Sequence, residues 1–331
     1  MASEHDFLFL FLALFTLVMF VLTQVLSALA TVPGDPAGWF PNTTEEVSDA
    51  YPVLVTPAGW TFLVWAIIYI WMLIYVIYIL TTICRRNKNG PVYMNPPVIT
   101  ANFLAFFTLN LAFNIVWLFL FSRREFAWSL ADSCLLAFSA YICLWISHRN
   151  VEKYRDVMET NHKVDLWCNR ILLQNGLAVY ATWTTIATLI NLSIALTYLA
   201  DVKNLSASLI SLSILTAEVV VYFVVDTFYW DRYLRYTFTV YPTVIWALSG
   251  VLSENWDPDT KTSIFNAVLL AVGCLCFVIK IVLVVFVRDQ LDSKPFPQSS
   301  GKVNKYMLND EESDIPSITM TNKKLYDNAV N

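Results

Sequence analysis

Long apolar runs, separated by short polar stretches, follow one another along most of the chain. A helix needs about 20 consecutive apolar residues to cross a bilayer, and it can cross because it satisfies its own backbone hydrogen bonds. Eight runs approach this length, and they occupy residues 7–30, 60–82, 97–121, 126–147, 171–200, 207–226, 236–253 and 263–287. The pattern therefore predicts an all-α, multi-pass membrane helical bundle of about eight transmembrane helices.

The apolar pattern stops after Arg288. Residues 289–331 are rich in Ser, Asn, Asp, Glu and Lys, and a segment of this kind cannot bury enough apolar surface to fold by itself. We predict that it forms a disordered cytoplasmic tail.

Composition supports the membrane class. Apolar residues make up 57% of the 331-residue chain and charged residues 14%, whereas soluble domains carry about 45–50% and about 25% respectively. The formal charge is −5 and no basic block is present. A nucleic-acid partner is therefore not expected, because phosphate binding requires clustered Lys and Arg.

The distribution of basic residues predicts the orientation. If the N-terminus lies inside, fifteen of the 21 Lys and Arg residues fall on the inner side, where cytoplasmic loops carry their excess. Both chain ends are predicted to be cytoplasmic. Two sequons, at Asn42 and Asn204, then fall in outer loops, as glycosylation requires. Sequons together with a charged tail favour the plasma membrane or an endomembrane.

Familiar catalytic and metal-binding patterns are missing from the sequence. There is no phosphate-binding Gly loop, no paired Cys or His spacing for a metal and no nucleophile elbow. We predict no catalytic residue, no metal site and no required cofactor. The informative polar residues are those inside the apolar runs, since charges in a membrane are costly and usually face a partner or a cavity.

Acidic residues lie in the fourth and sixth runs, at Asp132, Glu218 and Asp226, and a lysine lies in the eighth, at Lys280. Glu218 and Lys280 are each eight residues from the inner end of their helix, so they lie at similar depth at about 1.5 Å per residue. This predicts an intramembrane ion pair between Glu218 and Lys280. The alternative is that Lys280 extends to the inner surface by itself.

Aromatic residues and amides recur at fixed spacing in three stretches. The stretch TPAGWTFLVWAIIY, residues 56–69, contains Trp65 and Tyr69. Residues 111–132, LAFNIVWLFLFSRREFAWSLAD, and residues 180–191, YATWTTIATLIN, carry the rest of the pattern. The residues of these two stretches that form the pattern are Asn114, Trp117, Phe121, Trp128, Asp132, Tyr180, Trp183, Ala187, Thr188 and Asn191.

This set resembles the tryptophan-rich sensory protein/translocator protein family, TspO/MBR. The family shows Asn-x-x-Trp with a Phe four residues on, then a Trp and an acid in the next helix, and Tyr-x-x-Trp followed by Ala-Thr and Asn in its last helix. The resemblance covers about residues 7–200 and implies a five-helix transmembrane bundle over 1–203. Residues 204–288 would then be three additional transmembrane helices.

The resemblance also implies a cavity that takes a flat hydrophobic ligand, such as a tetrapyrrole (porphyrin or heme) or a sterol. By matched position the ligand-binding residues would be Trp65, Asn114, Trp128, Trp183 and Ala187. Those expected to give structural support are Trp117, Asp132 and Asn191. The resemblance also makes a homodimer an expectation. Independently of it, residues 196–203 fit a proposed cholesterol-contact pattern of Leu, Tyr198 and Lys203.

Several functions remain open at this point. The chain could bind, transport or sense the ligand, or it could be a membrane enzyme that degrades bound tetrapyrroles. It could also be a seven-helix receptor, if the first apolar run is a cleaved signal peptide. Finally, the matched residues could serve helix packing alone.

Overall fold

The computed structural model describes residues 5–288, and this part of the chain is predominantly helical. Its helices are α1 (Phe7–Leu29), α2 (Thr44–Ala50), α3 (Val64–Cys84), α4 (Ala101–Ser122), α5 (Phe126–Lys153), α6 (Arg155–Asn161), α7 (Lys163–Cys168), α8 (Asn175–Tyr198), α9 (Asn204–Val224), α10 (Asp231–Leu234), α11 (Val240–Asn255) and α12 (Lys261–Val282). A two-stranded antiparallel ribbon, β1 (Arg86–Asn87) and β2 (Gly90–Pro91), follows α3.

Tighter and wider helical turns extend several of these helices. A 3-10 turn at Gly59–Leu63 leads into α3, and π-helical turns occupy Asn169–Gln174, Val225–Tyr229 and Leu283–Arg288. With these extensions, seven helices in residues 5–288 are long and apolar enough to cross a membrane. The prediction of an all-α, multi-pass membrane bundle is confirmed.

The difference from eight spans concerns the predicted segment 236–253. It forms α11, which has 16 residues and is therefore shorter than the roughly 20 residues of a full span. Pro242 lies in the first turn of α11, where its missing N–H costs no helical hydrogen bond. It therefore does not break the helix.

Five long helices, α1, α3, α4, α5 and α8, contact one another through buried polar side chains as well as apolar ones. Thr16 on α1 hydrogen-bonds Thr108 on α4 at 2.8 Å. Asn110 on α4 donates to the Leu136 carbonyl at 2.8 Å and to Ser139 at 2.9 Å, both on α5. Such bonds hold membrane helices together because lipid offers no competing partner.

The C-terminal helices α9, α11 and α12 pack on this group and on one another. Ser193 on α8 donates to Ser211 on α9 at 2.8 Å, and Asn266 on α12 donates to the Leu248 carbonyl of α11 at 3.0 Å. The described helices up to Phe286 all belong to one compact unit, on both sides of the boundary predicted at residue 203. The predicted tail, 289–331, lies outside the described residues.

Lys280 is paired with a different acid from the one predicted. Its ammonium group donates to the Asp226 carboxylate and, at 3.0 Å, to the Leu234 carbonyl, and its side chain is 1% exposed. Depth alone suggested Glu218, but eight residues of an ideal helix also rotate the side chain by about 80°. Asp226, in the π-helical turn after α9, meets Lys280 on α12, whereas Glu218 lines a cavity whose other walls come from α5, α8 and α11.

Candidate functional site

A cavity of about 200 Å³, with four aromatic residues in its lining, lies among α1, α3 and α4. We call it the aromatic cavity. It is lined by Ser27, Thr31, Thr43, Thr44, Glu45, Gly59, Phe62, Trp65, Tyr69, Asn114, Trp117 and Leu118.

Stacked rings form its apolar wall. Trp65 and Tyr69 lie one turn apart on α3, and their rings stack with centroids 5.4 Å apart. Trp183 lies behind them and meets Trp65 and Phe62 edge to face, at 6.3 and 6.2 Å. Trp183 is 1% exposed, so it supports the wall from the rear. Flat, edge-packed aromatic surfaces of this kind suit a planar apolar molecule.

A few polar groups interrupt the wall. The hydroxyls of Tyr69 and Ser27 are hydrogen-bonded at 2.9 Å, and Asn114 donates to the Tyr180 hydroxyl at 3.2 Å. The indole N–H of Trp117 is buried and has no hydrogen-bond partner within the described residues. An orphaned buried donor is costly, so an acceptor brought to this N–H would stabilise the site.

The short helix α2 covers one side of the cavity. It begins with a capping box, in which Thr43 accepts from the Glu46 backbone N–H at 3.1 Å and Glu46 accepts from the Thr43 N–H at 2.7 Å. Asn42 anchors the same loop by donating to the Ser122 carbonyl at the end of α4, at 2.9 Å. Thr43, Thr44 and Glu45 thereby reach the cavity lining.

The segment that precedes α3 is held by α11. The backbone N–H of Ala58 donates to the Gly250 carbonyl at 3.1 Å, and the Trp246 indole donates to the Thr61 carbonyl at 2.9 Å. The Trp60 and Trp246 rings meet edge to face at 5.0 Å. Trp60 therefore packs on an added helix, and the cavity wall at Phe62 and Trp65 continues directly from this contact.

The structure brings together only some of the residues predicted to bind the ligand. Trp65 and Asn114 line the cavity, and Trp183 backs it. Trp128 is 68% exposed and Ala187 is half-buried, and neither belongs to the lining. Ser129, the next residue, faces α8. Because successive residues of a helix are rotated by about 100° about its axis, the Trp128 indole lies on the outside of α5.

The three residues predicted to give structural support, Asn191, Asp132 and Trp117, lie in three different environments. Asn191 accepts from Ser129 at 2.9 Å and donates to the Ala187 carbonyl at 2.8 Å, so it joins α8 to α5. Asp132 is buried, but its Oδ2 has no hydrogen-bond partner within residues 5–288. Trp117 lies in the cavity lining itself, a position that spacing alone did not indicate.

The two sequon asparagines take part in tertiary contacts. Asn204 donates to the Pro52 carbonyl at 3.2 Å and accepts from the Leu54 N–H at 3.1 Å. Asn42 makes the bond to Ser122 described above. Glycosylation of either residue stays a prediction.

The cavity lining itself contains hydroxyls, one amide, one carboxylate and the indole N–H groups of two tryptophans, but no His, Cys, Lys or Arg. No group of three or more His, Cys, Asp or Glu side chains suited to a metal occurs within residues 5–288. The arrangement can therefore bind an apolar ring system and satisfy a small number of polar atoms at its edge.

Comparison with known proteins identifies a family. A family model described as "TSPO-like protein" matches residues 11–285. The match continues through α9, α11 and α12, so it extends beyond the 7–200 stretch on which the resemblance was based. No curated protein and no solved structure shows a significant match.

Proposed function

The chain belongs to the TSPO-like protein family and is an integral, multi-pass membrane protein, and on this premise we propose that it binds a hydrophobic planar ligand in the aromatic cavity. A tetrapyrrole or a sterol has the required shape. The observation that carries the proposal is the cavity itself, with Trp65 and Tyr69 stacked along one wall and with Trp117, whose buried indole N–H has no partner within residues 5–288, in the lining.

Ligand size sets a condition on this proposal. The cavity holds about 200 Å³, whereas sites for drug-sized ligands usually hold about 300–1,000 Å³. A porphyrin or a sterol therefore needs the cavity to widen. The α2 segment supplies the room, because Thr43, Thr44 and Glu45 border the cavity from a short surface helix rather than from a membrane-spanning one.

Binding is favoured over catalysis by the lining. Its single carboxylate, Glu45, is exposed, and the lining offers no base to activate a hydroxyl. Release of the bound ligand on either side of the membrane would make the protein a transporter, and a response of α2 to occupancy would make it a sensor. Both uses start from the same binding step.

The test is a titration of the full chain in lipid nanodiscs with protoporphyrin and hemin, read from the absorbance of the porphyrin. Cholesterol is tested by its ability to displace protoporphyrin. The variants are Trp65→Ala and Asn114→Ala in the lining, with Trp128→Ala as the matched control on the outer surface of α5. We expect saturable binding that weakens at least tenfold in both lining variants and stays unchanged in the control.

Two results would refute the proposal. One is the absence of saturable binding for all three ligands. The other is an equal loss in Trp128→Ala and Trp65→Ala, since that would separate binding from the cavity. A progressive loss of porphyrin absorbance with turnover would instead favour the enzymatic alternative.

The remaining properties follow the sequence and stand as part of the same proposal. They are residence in the plasma membrane or an endomembrane, cytoplasmic chain ends, glycosylation at Asn42 and Asn204, and a homodimer.

A further inference from the structure

A second cavity shares no lining residue with the aromatic cavity. It lies between the five-helix group and the helices α9 and α11. It holds about 360 Å³ and adjoins another of about 430 Å³. The 360 Å³ space, which we call the Glu218 cavity, takes its lining from α5, α8, α9 and α11. Both spaces share Tyr141, Leu144, Ala178, Tyr222, Val225 and Val240.

Small side chains on α8 create the space. The floor of the cavity is formed by four short side chains, Ala178, Ala181, Thr182 and Thr185. Residues of α5, α9 and α11 form the walls around this floor. The Thr185 hydroxyl is bonded to the Tyr141 hydroxyl, so this polar pair is already satisfied. Apart from it, the walls are mainly Leu, Ile and Val.

Glu218 is the exception on these walls. Its Oε2 atom is buried and has no hydrogen-bond partner among residues 5–288, and the same holds for the Tyr222 hydroxyl one turn further along α9. Lys280, the cation at similar depth, is held by Asp226. A carboxylate inside a membrane protein is costly and usually faces a partner or a cavity. Glu218 faces the cavity.

Charge and shape together define the ligand class. A lipid tail or a sterol would satisfy the apolar walls, but only a cation balances a carboxylate in this setting. The tyrosine rings of Tyr141 and Tyr222 beside Glu218 add surfaces that attract ammonium groups. Arg149 borders the 430 Å³ space and does not line the Glu218 cavity, so it leaves the carboxylate end free of a competing positive charge.

We propose that the Glu218 cavity is a binding site for a lipophilic amine. The protonated amine lies against the Glu218 carboxylate and the apolar body lies on the floor formed by Ala181 and Thr182. A volume of about 360 Å³ is within the usual range for drug-sized ligands, so the site accepts a compact amine without rearrangement. This site is separate from the aromatic cavity and does not depend on its function.

The test uses two rigid probes of the same shape, 1-aminoadamantane and 1-adamantanol, titrated into the full chain in nanodiscs by calorimetry, with empty nanodiscs as the blank. We expect saturable binding of the amine at least tenfold tighter than that of the alcohol. The preference should disappear in Glu218→Gln and persist in Glu254→Gln, which neutralises an exposed glutamate on α11.

A second variant protects the test against misfolding of Glu218→Gln. Val221 lines the cavity and is 61% exposed, so Val221→Phe should fill the space from its rim and abolish amine binding without burying a new polar group. Equal affinity for the two probes would overturn the proposal. So would no saturable amine binding to the wild-type chain, or a preference that survives in Glu218→Gln.

Discussion

Replacement of Asp226 by Asn tests the buried pair with Lys280. The two side chains are 0% and 1% exposed, and Lys280 also donates to the Leu234 carbonyl at 3.0 Å. The substitution keeps the shape of the acid but leaves the lysine ammonium buried without a compensating charge. Removal of one partner from such a pair costs about 3–5 kcal/mol.

The double variant Asp226→Leu/Lys280→Met separates the charge effect from packing. It removes both charges, and its remaining defects include the Leu234 carbonyl, which would lose the Lys280 donor, and the Tyr241 hydroxyl, which donates to the Asp226 carboxylate at 3.4 Å and would lose this acceptor. An orphaned buried hydroxyl costs about 1–3 kcal/mol. We therefore expect the double variant to be more stable than Asp226→Asn or Lys280→Met alone.

The assay heats the purified protein in detergent and measures the monodisperse peak that remains on size exclusion. The reported quantity is the temperature at which this peak falls to half. At about 2–4 °C per kcal/mol for a chain of this order of size, each single variant should lose about 6–20 °C, and Asp259→Asn, in an exposed loop, should lose none. If Lys280 instead reached water, the pair would contribute only about 0–1 kcal/mol. Single variants within about 2 °C of the wild type, or a double variant as unstable as the sum of the singles, would refute the buried pair.

Two further predictions concern the helix contacts around the aromatic cavity. Trp183→Ala should lower stability by about 3–5 kcal/mol because it empties a fully packed position, whereas Trp128→Ala, at an exposed position, should change it by about 0.5 kcal/mol or less; similar melting temperatures for the two would contradict the packing. Gly250→Ala should lose about 1–3 kcal/mol by overpacking, because the new Cβ would overlap the Thr61 side chain. The added change Thr61→Gly should restore part of the loss in the same thermal assay, and no restoration would show that the contact is not the cause.

The lengths of the apolar runs were enough to predict most membrane helices. The predicted run 97–121, for example, became α4 at Ala101–Ser122, because a bilayer requires a minimum helix length whatever the tertiary contacts are. The small helix α2 also had a readable signal, since Thr43 and Glu46 have the spacing of a capping box.

Rotation about the helix axis was harder to predict than depth. Lys280 and Glu218 were placed at the same level, but an ion pair also requires that their helix faces meet, and Asp226 satisfies this condition instead. The same difficulty applies to Trp128, whose spacing matched a family pattern while its side chain lies on the outside of α5. Contacts between helices far apart in sequence, such as Trp246 with Thr61, had no signal in a single sequence.

The contact of α11 with the segment before α3 links two parts of the chain in their thermodynamics. Asn255 adds to it by donating to the Thr56 carbonyl at 2.7 Å. Side chains of α11 therefore hydrogen-bond backbone carbonyls at both Thr56 and Thr61. Coupling between two sites is reciprocal: if a ligand in the aromatic cavity shifts Phe62 and Trp65, it changes the stability of α11, and whatever binds or moves α11 changes the affinity of the cavity by the same factor. The contact with α11 thus supports the cavity wall, and a chain cut at residue 203 would lose that support.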